Sequence, residues 1–241
     1  MRLVNAEKIL YENNRNYSYR ILKESIISLG IEPGETISET QIQAALQTSR
    51  SPIREAIAML SAEGLVEVYP QKKSVVTLIN ADELEQLSFM RETLEQELVK
   101  KCIREKRTAM LLPKLNKVLE KMSALPSIED EEDAVFLMLY LDEMFHRSIY
   151  EAMECEAIYK AMRISNNQYN RFQALRRRVI TMDKFANMHR EIADMIRDED
   201  LNKVEEHYQA SIKSFADSVV SLRALYSQFF EKEKQNSSRE Q

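Results

Sequence analysis

Residues that interrupt helices are scarce in this chain. Its 241 residues include three glycines, five prolines and no tryptophan. Glycine and proline are the residues that most destabilise a helix interior. Their scarcity, together with many leucine, isoleucine, methionine, glutamate and lysine residues, therefore predicts a mainly α-helical protein. The length allows two domains with a sizeable buried core.

Cysteines and long apolar runs are also lacking. The two cysteines, Cys102 and Cys155, are far apart in the chain and lack the spacing of a metal-binding pair, which favours reduced thiols. No uninterrupted apolar run approaches the ~20 residues that a membrane-spanning helix needs. The first residues lack the apolar core of a signal peptide. We therefore expect a soluble, cytoplasmic protein that has no membrane partner.

Net positive charge is absent as well, because 34 lysines and arginines stand against 39 aspartates and glutamates, for a net charge of −5. This balance argues against diffuse, non-specific binding of nucleic acid. It does not exclude a local basic surface, and basic residues concentrate at Arg50, Arg54, Lys72 and Lys73. The acidic run at residues 129–133 is predicted to be a solvated loop or the start of a helix.

Local signals predict three consecutive helices in the first quarter of the chain. Apolar residues recur with helical spacing in residues 19–27. Ser38-Glu39-Thr40-Gln41 is a capping box that opens a second helix. Ser51 is predicted to cap a third helix whose first residue is Pro52, and Gly64 is predicted to end it.

A β-hairpin is predicted to follow these helices. Residues 65–69 and 74–78 are rich in residues that favour strands. The connection between them places Lys72 and Lys73 at the hairpin tip. Helices followed by such a hairpin describe a winged helix-turn-helix, in which the second helix of the motif enters the major groove of DNA.

The start of the third helix has suitable chemistry for contact with DNA. A helix N-terminus carries partial positive charge and unpaired N–H groups that attract phosphate. Arg50 and Arg54 can project from this end, and Ser49 and Ser51 add two hydroxyls. These residues are therefore candidates for contacts with bases and phosphates. The alternative is that both arginines are merely solvated helix charges.

The N-terminal part of the sequence resembles the GntR family of bacterial transcription regulators. The resemblance covers roughly residues 15 to 79, and is carried by Pro33-Gly34, Ser38-Glu39, Leu46, Ser49-Arg50-Ser51-Pro52-Ile53-Arg54-Glu55-Ala56, Leu60 and Glu63-Gly64-Leu65-Val66. It implies that Arg50, Ser51 and Arg54 contact DNA, with the hairpin tip in the adjacent minor groove. Thr40 stands where many members carry a phosphate-contacting arginine, and Lys73 stands where the wing tip usually has glycine.

Beyond residue 80 the sequence predicts only helices. Asn80 can cap the first of them. We predict helices at residues 81–105, 108–124, 131–153, 155–179, 182–198 and 200–231. The predicted organisation is a winged helix-turn-helix domain at residues 1–79, an all-α bundle of about six helices at residues 80–230, and a polar tail at residues 231–241 that frays.

The helical part contains one cluster of candidate metal ligands. Asp142 and His146 are four residues apart, so their side chains lie on one face of a helix. His189 lies near apolar positions of a later predicted helix. A carboxylate and imidazoles inside a helix bundle can bind Zn²⁺ or a similar ion. Taken alone, this spacing favours a buried, hydrogen-bonded polar pair.

The helical part resembles the FCD effector domain of the FadR-type branch of GntR regulators. The resemblance spans roughly residues 81 to 222, and is carried by Arg91-x-x-Leu94-Glu95, Asp142-x-x-Phe145-His146, His189, Ile192 and Asp200. It implies that an aspartate and three histidines hold a divalent metal (zinc, nickel or manganese), which helps to bind a small carboxylate effector. Asp142, His146 and His189 match three of these ligands, but the fourth position falls at Ser211.

This departure leaves three arrangements open. A metal is held by the three matching residues, with water or an effector oxygen in the gap. Alternatively, His207, one helical turn before Ser211, replaces the fourth ligand. In the third arrangement no stable metal binds, and hydrogen bonds hold the effector, with Ser211 as a donor.

Four arginines of the helical part bear on whether it binds an anion. Arg91 matches the family arginine that can face the effector, and a guanidinium suits bidentate capture of a carboxylate. The alternative for Arg91 is a salt bridge to Glu95 or to another helix. Arg176, Arg177 and Arg178 are consecutive and point in different directions on a helix. We therefore expect these three to be mainly solvated.

The whole sequence predicts a transcription regulator. We expect a homodimer that binds a palindromic operator in double-stranded DNA under control of a small carboxylate effector, with repression as the commoner arrangement. One rival is a metal-dependent enzyme acting on small organic acids. The absence of a His-Glu-x-x-His motif, whose glutamate would be the general base, argues against this rival. The other rival is a constitutive DNA-binding protein whose bundle only dimerises.

Overall fold

A computed structural model of the chain describes residues 1–5, 7–69, 73–163 and 166–232. Its N-terminal part contains three helices and three short strands, namely α1 (Asn14–Ile27), β1 (Thr36–Ile37), α2 (Glu39–Leu46), α3 (Arg50–Ala62), β2 (Val66–Tyr69) and β3 (Lys73–Val76). The rest is helical, namely α4 (Ala81–Arg104), α5 (Thr108–Met122), α6 (Glu131–Ala152), α7 (Glu156–Arg163), α8 (Asn166–Arg176), α9 (Met182–Asp198) and α10 (Leu201–Leu225). Short 3₁₀ turns lie at Leu125–Ser127 and Ser227–Phe229. The predicted mainly α fold with an N-terminal winged helix-turn-helix is confirmed.

Local capping forms the helix-turn-helix as predicted at two points. Ser38 accepts a hydrogen bond from the backbone N–H of Gln41 at 3.3 Å and so caps α2. Gly64 follows α3 at φ +72°, a conformation that glycine adopts without strain. Its N–H donates to Ser61 and the N–H of Leu65 donates to Leu60, which completes a C-terminal Schellman motif.

The predicted start of α3 was wrong by two residues. The helix begins at Arg50, and its N-cap is Ser49, whose side chain makes no capping hydrogen bond. Ser51 lies inside the helix, where its hydroxyl pairs with Glu55 at 3.2 Å instead of with a backbone N–H. Pro52 is the third helical residue, still within the first turn, where a backbone N–H has no intrahelical partner.

A third strand completes the wing. The strands pair antiparallel in the order β1-β3-β2. The sequence did not predict the two-residue β1, which is too short to show an apolar alternation. Lys73 is the first residue of β3, paired with Tyr69, so it lies in a strand and not at the hairpin tip. Lys72, the other predicted tip residue, lies outside the described residues.

The helical part has seven α-helices among its described residues, where about six were predicted. Within residues 155–179, which were predicted as one helix, the structure describes α7 and α8, and residues 164 and 165 lie outside the described residues.

The segment that follows α10 packs at the junction of the two parts. Helix α10 ends at Leu225 and not near residue 231 as predicted. Phe229 and Phe230 are buried, and the strand-like bridge of Phe230 to Ile79 is supported by a 2.8 Å bond from the Ile79 N–H to the Phe229 carbonyl. Apolar burial outweighs helix propensity here. Of the predicted frayed tail, residues 233–241 lie outside the described residues.

Three apolar clusters hold the molecule together. One lies among α1, α2, α3 and the sheet, and includes Leu22, Ile42, Ile53, Leu60 and Val76. A second lies within the helical bundle, and includes Val99, Leu115, Phe145, Ile196 and Val204. The third joins the two parts, and includes Leu29, Ile79, Leu84, Phe172, Phe215 and Phe230. Within the part of the chain that the structure describes, no helix combines the length and apolar character needed to cross a bilayer.

Candidate functional site

The N-terminal end of α3 presents an open polar and basic surface. Arg50, Ser51 and Arg54 are exposed there, and the side chain of Arg54 is 64% exposed. The Arg54 guanidinium lies against the Glu39 carboxylate, with Nε to Oε2 at 3.0 Å. Since an exposed pair of this kind contributes little stability, Arg54 is free to exchange Glu39 for another acceptor.

The remaining predicted DNA-contact residues surround this end. Ser49 precedes α3, Thr40 lies in the first turn of α2, and Lys73 begins β3, and all three side chains are exposed. The unpaired N–H groups of the first turn of α3 point outward from its N-terminal end. The structure therefore leaves a helix end, two arginines and three hydroxyls accessible to a polyanion.

The three predicted metal-binding residues converge inside the helical bundle. Asp142 and His146 come from α6 and His189 from α9, and one ligand atom of each lies within 4.8 Å of the other two. The Asp142 Oδ1 lies 3.2 Å from His189 Nε2 and 3.6 Å from His146 Nε2. All three side chains are largely buried.

The other ring nitrogen of each histidine is already engaged. His146 Nδ1 lies 2.6 Å from the Glu95 carboxylate, and His189 Nδ1 lies 2.9 Å from the backbone carbonyl of Phe185. A carboxylate and a carbonyl only accept hydrogen bonds, so each Nδ1 is the donor and each Nε2 faces the Asp142 carboxylate, where it can bind a metal once it carries no proton. Metal-binding histidines are oriented by partners of the same kind. The donor set of two imidazoles and one carboxylate therefore fits a divalent transition metal with an open coordination position.

Charges around the three ligands are strongly coupled. Burial raises the pKa of Asp142, but Arg91, His146 and His189 together outweigh burial and hold this pKa well below its usual range. Burial and Arg91 lower the pKa of His146, but Glu95 and Asp142 outweigh both and raise it to about 9. A metal bound here must therefore displace a proton from His146.

Arg91 lies behind the metal-binding residues. Its Nη2 is 3.0 Å from Asp142 Oδ2, its Nε is 3.3 Å from Glu95 Oε1, and its guanidinium stacks over the Tyr169 ring at 4.6 Å. The alternative predicted for Arg91, a salt bridge to Glu95, is thus present. Arg91 lines a small inner cavity of about 10 Å³ with Glu95, Asp142 and His146.

A larger cavity of about 230 Å³ opens on the other side of the three ligands. Helices α4, α6, α8, α9 and α10 surround it. Its polar lining includes Glu92, Asp142, His146, Gln173, Arg176, Arg177, His189, His207, Ser211 and Ser214, and its apolar lining includes Met138, Phe185, Ile192 and Phe215. Mixed linings of this kind, with a few placed polar groups, are typical of small-molecule sites.

Ser211 and His207, the two candidates for the fourth metal ligand, both line this cavity but have different partners. Ser211 hydrogen-bonds the Glu92 carboxylate. His207 lies 3.8 Å from Glu191 through its Nδ1, and its ring nitrogens are outside the group formed by Asp142, His146 and His189. Burial lowers the pKa of His207. Neither side chain completes a four-ligand set in this arrangement.

The prediction of a solvated Arg176 was wrong, and the sequence analysis missed this residue. Arg176 is 8% exposed and faces the cavity. Its Nη1 donates to Gln173 at 2.9 Å, its guanidinium lies over the Phe215 ring at 5.6 Å, and its buried Nε has no partner. The available signal was helical spacing, because Arg176 lies four residues after the buried Phe172 and therefore on the inner face of α8.

Comparisons with known proteins agree with this arrangement. Residues 17–76 match the family model described as bacterial regulatory proteins, gntR family, and residues 86–214 match the FCD domain. The HTH-type transcriptional repressor RspR of Escherichia coli (strain K12) is 24% identical over 221 residues, which cover 89% of this chain and 92% of that protein. In structure the chain is similar to E. coli McbR/YncC (TM-score 0.65, 16% identity, 89% of this chain and 99% of that one) and to Lar, which controls expression of the Listeria monocytogenes agr system (TM-score 0.55, 18% identity, 89% and 100%).

Proposed function

The chain belongs to the GntR family of bacterial transcription regulators and carries an FCD domain, and from this identity we propose that it is a cytoplasmic homodimer whose binding to a palindromic DNA operator is controlled by a small carboxylate. Members of this family and the relatives of this chain are regulators and not enzymes. The proposal divides the chain into a DNA-binding domain at residues 1–79 and an effector and dimerisation domain at residues 80–230.

Binding to the operator is assigned to α3 and its surroundings. The exposed Arg50 and Arg54 support major-groove contacts, because a guanidinium can bond two acceptors of guanine at once. Ser49, Ser51 and Thr40 supply hydroxyls for phosphate, and Lys72 and Lys73 supply positive charge on the wing. Two-fold symmetry of a dimer would place two α3 helices on two half-sites of an inverted repeat.

The effector is assigned to the cavity of about 230 Å³. Asp142, His146 and His189 would hold a divalent metal such as zinc, nickel or manganese there, and the metal would supply open coordination positions for carboxylate oxygens. Ser211, whose hydroxyl donates to Glu92, would then donate instead to another oxygen of the effector. This cavity is the observation that carries the proposal, because a bundle that only dimerises has no need of a cavity lined with charged groups.

Helix α8 supports a route from the cavity to the DNA-binding domain. Tyr169, Gln173 and Arg176 of α8 line the cavity. On another side of α8, Arg171 bonds the carbonyls that follow β3, and Asn167 lies 3.2 Å from Glu63 at the end of α3. An effector that displaces α8 would therefore change the position of α3, with a coupling free energy of roughly 1–3 kcal/mol.

The sign of regulation is proposed to be repression that the effector relieves. RspR, whose sequence aligns with most of this chain, is a transcriptional repressor. A small displacement of α8 would change the spacing of the two α3 helices, and the operator contacts of a pre-formed dimer are more easily lost than gained by such a change.

Operator selection tests the DNA part of the proposal. The full chain is incubated with random double-stranded DNA, bound molecules are sequenced, and the stoichiometry on the selected site is measured by analytical ultracentrifugation. We expect an inverted repeat that binds two chains. Enrichment of a sequence without internal symmetry, or one chain per site, would contradict the proposed dimer on a palindrome.

A further inference from the structure

Arg176 is a buried cation that lacks a matching anion. No carboxylate among the described residues lies within ion-pair distance of its guanidinium, which donates to the neutral Gln173 amide, while its Nε has no partner. Burial lowers the pKa of Arg176, an effect that the more distant Tyr169, Asp142 and Glu92 only partly offset. Uncompensated buried charge is unfavourable, so this arginine has a strong requirement for an anion.

Arg176 and two of the metal-binding residues line different neighbours of the main cavity. Asp142 and His146 also line the small inner cavity that contains Arg91 and Glu95. Arg176 and Ser214 instead also line an outer groove of about 340 Å³, which adjoins the main cavity and excludes Asp142, His146 and His189 from its lining. Arg176 therefore lies where the main cavity adjoins the outer groove, and the three metal-binding residues do not.

The surroundings of Arg176 favour an oxyanion in this part of the cavity. Ser214 from α10 and Arg177 from the end of α8 line the same region, and the Arg177 Nε is likewise buried without a partner. A hydroxyl and two guanidinium groups are donors suited to carboxylate or phosphate. Arg176 is also held in place, because its guanidinium lies over Phe215 and bonds Gln173.

We infer that Arg176 binds a second anionic group of the effector, so that the effector is a small molecule with two anionic groups (termed a dianion, whatever the charge of a phosphate), one of them a carboxylate near Asp142, His146 and His189 and the other a carboxylate or phosphate at Arg176. The inference rests on the proposed function, since it assumes a carboxylate near the metal-binding residues. A volume of about 230 Å³ suits a short diacid or a phosphorylated three-carbon acid.

Isothermal titration of the full-length, metal-loaded protein tests the inference with three probes. Glutarate and valerate have the same number of carbons and differ in the second carboxylate, and 3-phosphoglycerate carries phosphate in its place. We expect wild-type protein to bind at least one of the two dianions about 10- to 100-fold more tightly than valerate, the range for a charge-assisted hydrogen bond. Which dianion binds more tightly identifies the second group as carboxylate or phosphate.

Three variants assign the preference to Arg176. Arg176→Gln is expected to remove the preference for the dianion and to leave valerate binding within about twofold, while Arg176→Lys keeps part of the preference because it keeps the charge. Arg197→Gln is the control, because Arg197 is an exposed arginine of α9 that pairs with Asp194 outside this cavity. Circular dichroism and thermal melting establish that each variant is folded; if Arg176→Gln does not fold, the Lys variant and the wild-type probe series decide.

Two results would overturn the inference. Equal affinity of the wild-type protein for valerate and both dianions would show that no second anion is bound. Equal loss of valerate and dianion binding in Arg176→Gln would show that Arg176 only maintains the cavity. If none of the three probes binds, the proposed carboxylate effector is itself wrong, which is distinguishable from the failure of this inference alone.

Discussion

Arg171 of α8 donates a hydrogen bond to the backbone carbonyl of Thr77 at 2.7 Å, and so ties the helical bundle to the segment that leaves the wing. A second bond reaches the Leu78 carbonyl at 3.3 Å. The Arg171 side chain is completely buried without a carboxylate partner, and burial lowers its pKa to about 10. The guanidinium is still charged at neutral pH, and its partners are the carbonyl dipoles of the interdomain connection and the side-chain carbonyl of Gln168 at 2.6 Å.

Replacing Arg171 should lower the stability of the folded protein. Arg171→Met keeps the apolar stem but leaves two partly buried carbonyls without donors, which should lower the free energy of unfolding by about 1–3 kcal/mol. Denaturant unfolding measures this loss, with Arg197→Met on the exposed face of α9 as the control. If Arg171→Met is as stable as the control variant, the bonds to Thr77 and Leu78 do not contribute as argued.

Arg54 should contribute directly to operator affinity. Arg54→Ala is expected to cost roughly 1–3 kcal/mol of binding free energy if the guanidinium reads a base. Glu39→Gln is expected to strengthen binding slightly, because Glu39 competes for Arg54 in the free protein and carries a charge that repels DNA. Fluorescence anisotropy on the selected operator measures both effects.

Arg104→Ala is the control for the Arg54 experiment. Arg104 is an exposed arginine at the C-terminal end of α4, in the helical part of the chain. Its replacement should leave operator affinity within error. Similar losses for Arg54→Ala and Arg104→Ala would reduce the role of Arg54 to general electrostatic attraction.

Metal content should distinguish His189 from His207. Elemental analysis of protein purified without a metal-affinity tag is expected to find near-stoichiometric metal in the wild type and in His207→Ala. Little metal is expected in His189→Ala, because His189 belongs to the three-ligand group and His207 does not. Loss of metal from His207→Ala would show that His207 supplies the fourth ligand. Absence of metal from the wild type, even after incubation with zinc, nickel or manganese, would leave the cavity to hydrogen bonds alone.

Glu92 should make metal-free protein less stable as pH rises. Burial, and then the charge of Glu95, raise the pKa of Glu92 to about 7, against an ordinary value of 4.5. Because the folded pKa is raised, ionisation of Glu92 opposes folding, and the destabilisation grows between about pH 4.5 and pH 7. Chelator-treated Glu92→Gln should therefore be more stable than the wild type by about 1–3 kcal/mol at pH 8, and lose this advantage near pH 4.5.

Thermal or denaturant unfolding at several pH values measures the effect of Glu92. Glu85→Gln, an exposed position of the same helix, is the matched control and should show no pH-dependent gain. A constant difference between Glu92→Gln and the wild type across the pH range would contradict the raised pKa.

Features set by local hydrogen bonding were predictable from the sequence. Ser38, Asn80 and Gly64 cap or end their helices where the sequence placed them, since each motif involves only residues within one turn. Ser51 was misplaced because Ser49 and Ser51 are both acceptable caps and only two residues apart. Local signals cannot choose between such neighbours.

Features set by distant residues were harder to predict. Spacing joined Asp142 to His146, but it did not show that His189, which is 47 residues further along the chain from Asp142, lies beside them, and the family resemblance supplied that expectation. The return of Phe230 to Ile79 depends on an aromatic cluster assembled from several helices. The burial of Arg176 likewise depends on Phe215, which lies on a distant helix, so the run of three arginines by itself did not show it.

The most direct test of the account is the operator affinity of the full-length, metal-loaded protein, measured with and without a carboxylate that titration shows to bind. In the wild type the affinity should fall by about 5- to 150-fold at saturating carboxylate. His189→Ala should bind the operator as the wild type does, because His189 is remote from α3, but should no longer respond to the carboxylate. An operator affinity that a bound carboxylate leaves unchanged, or an equal response in His189→Ala, would contradict control of DNA binding through this cavity.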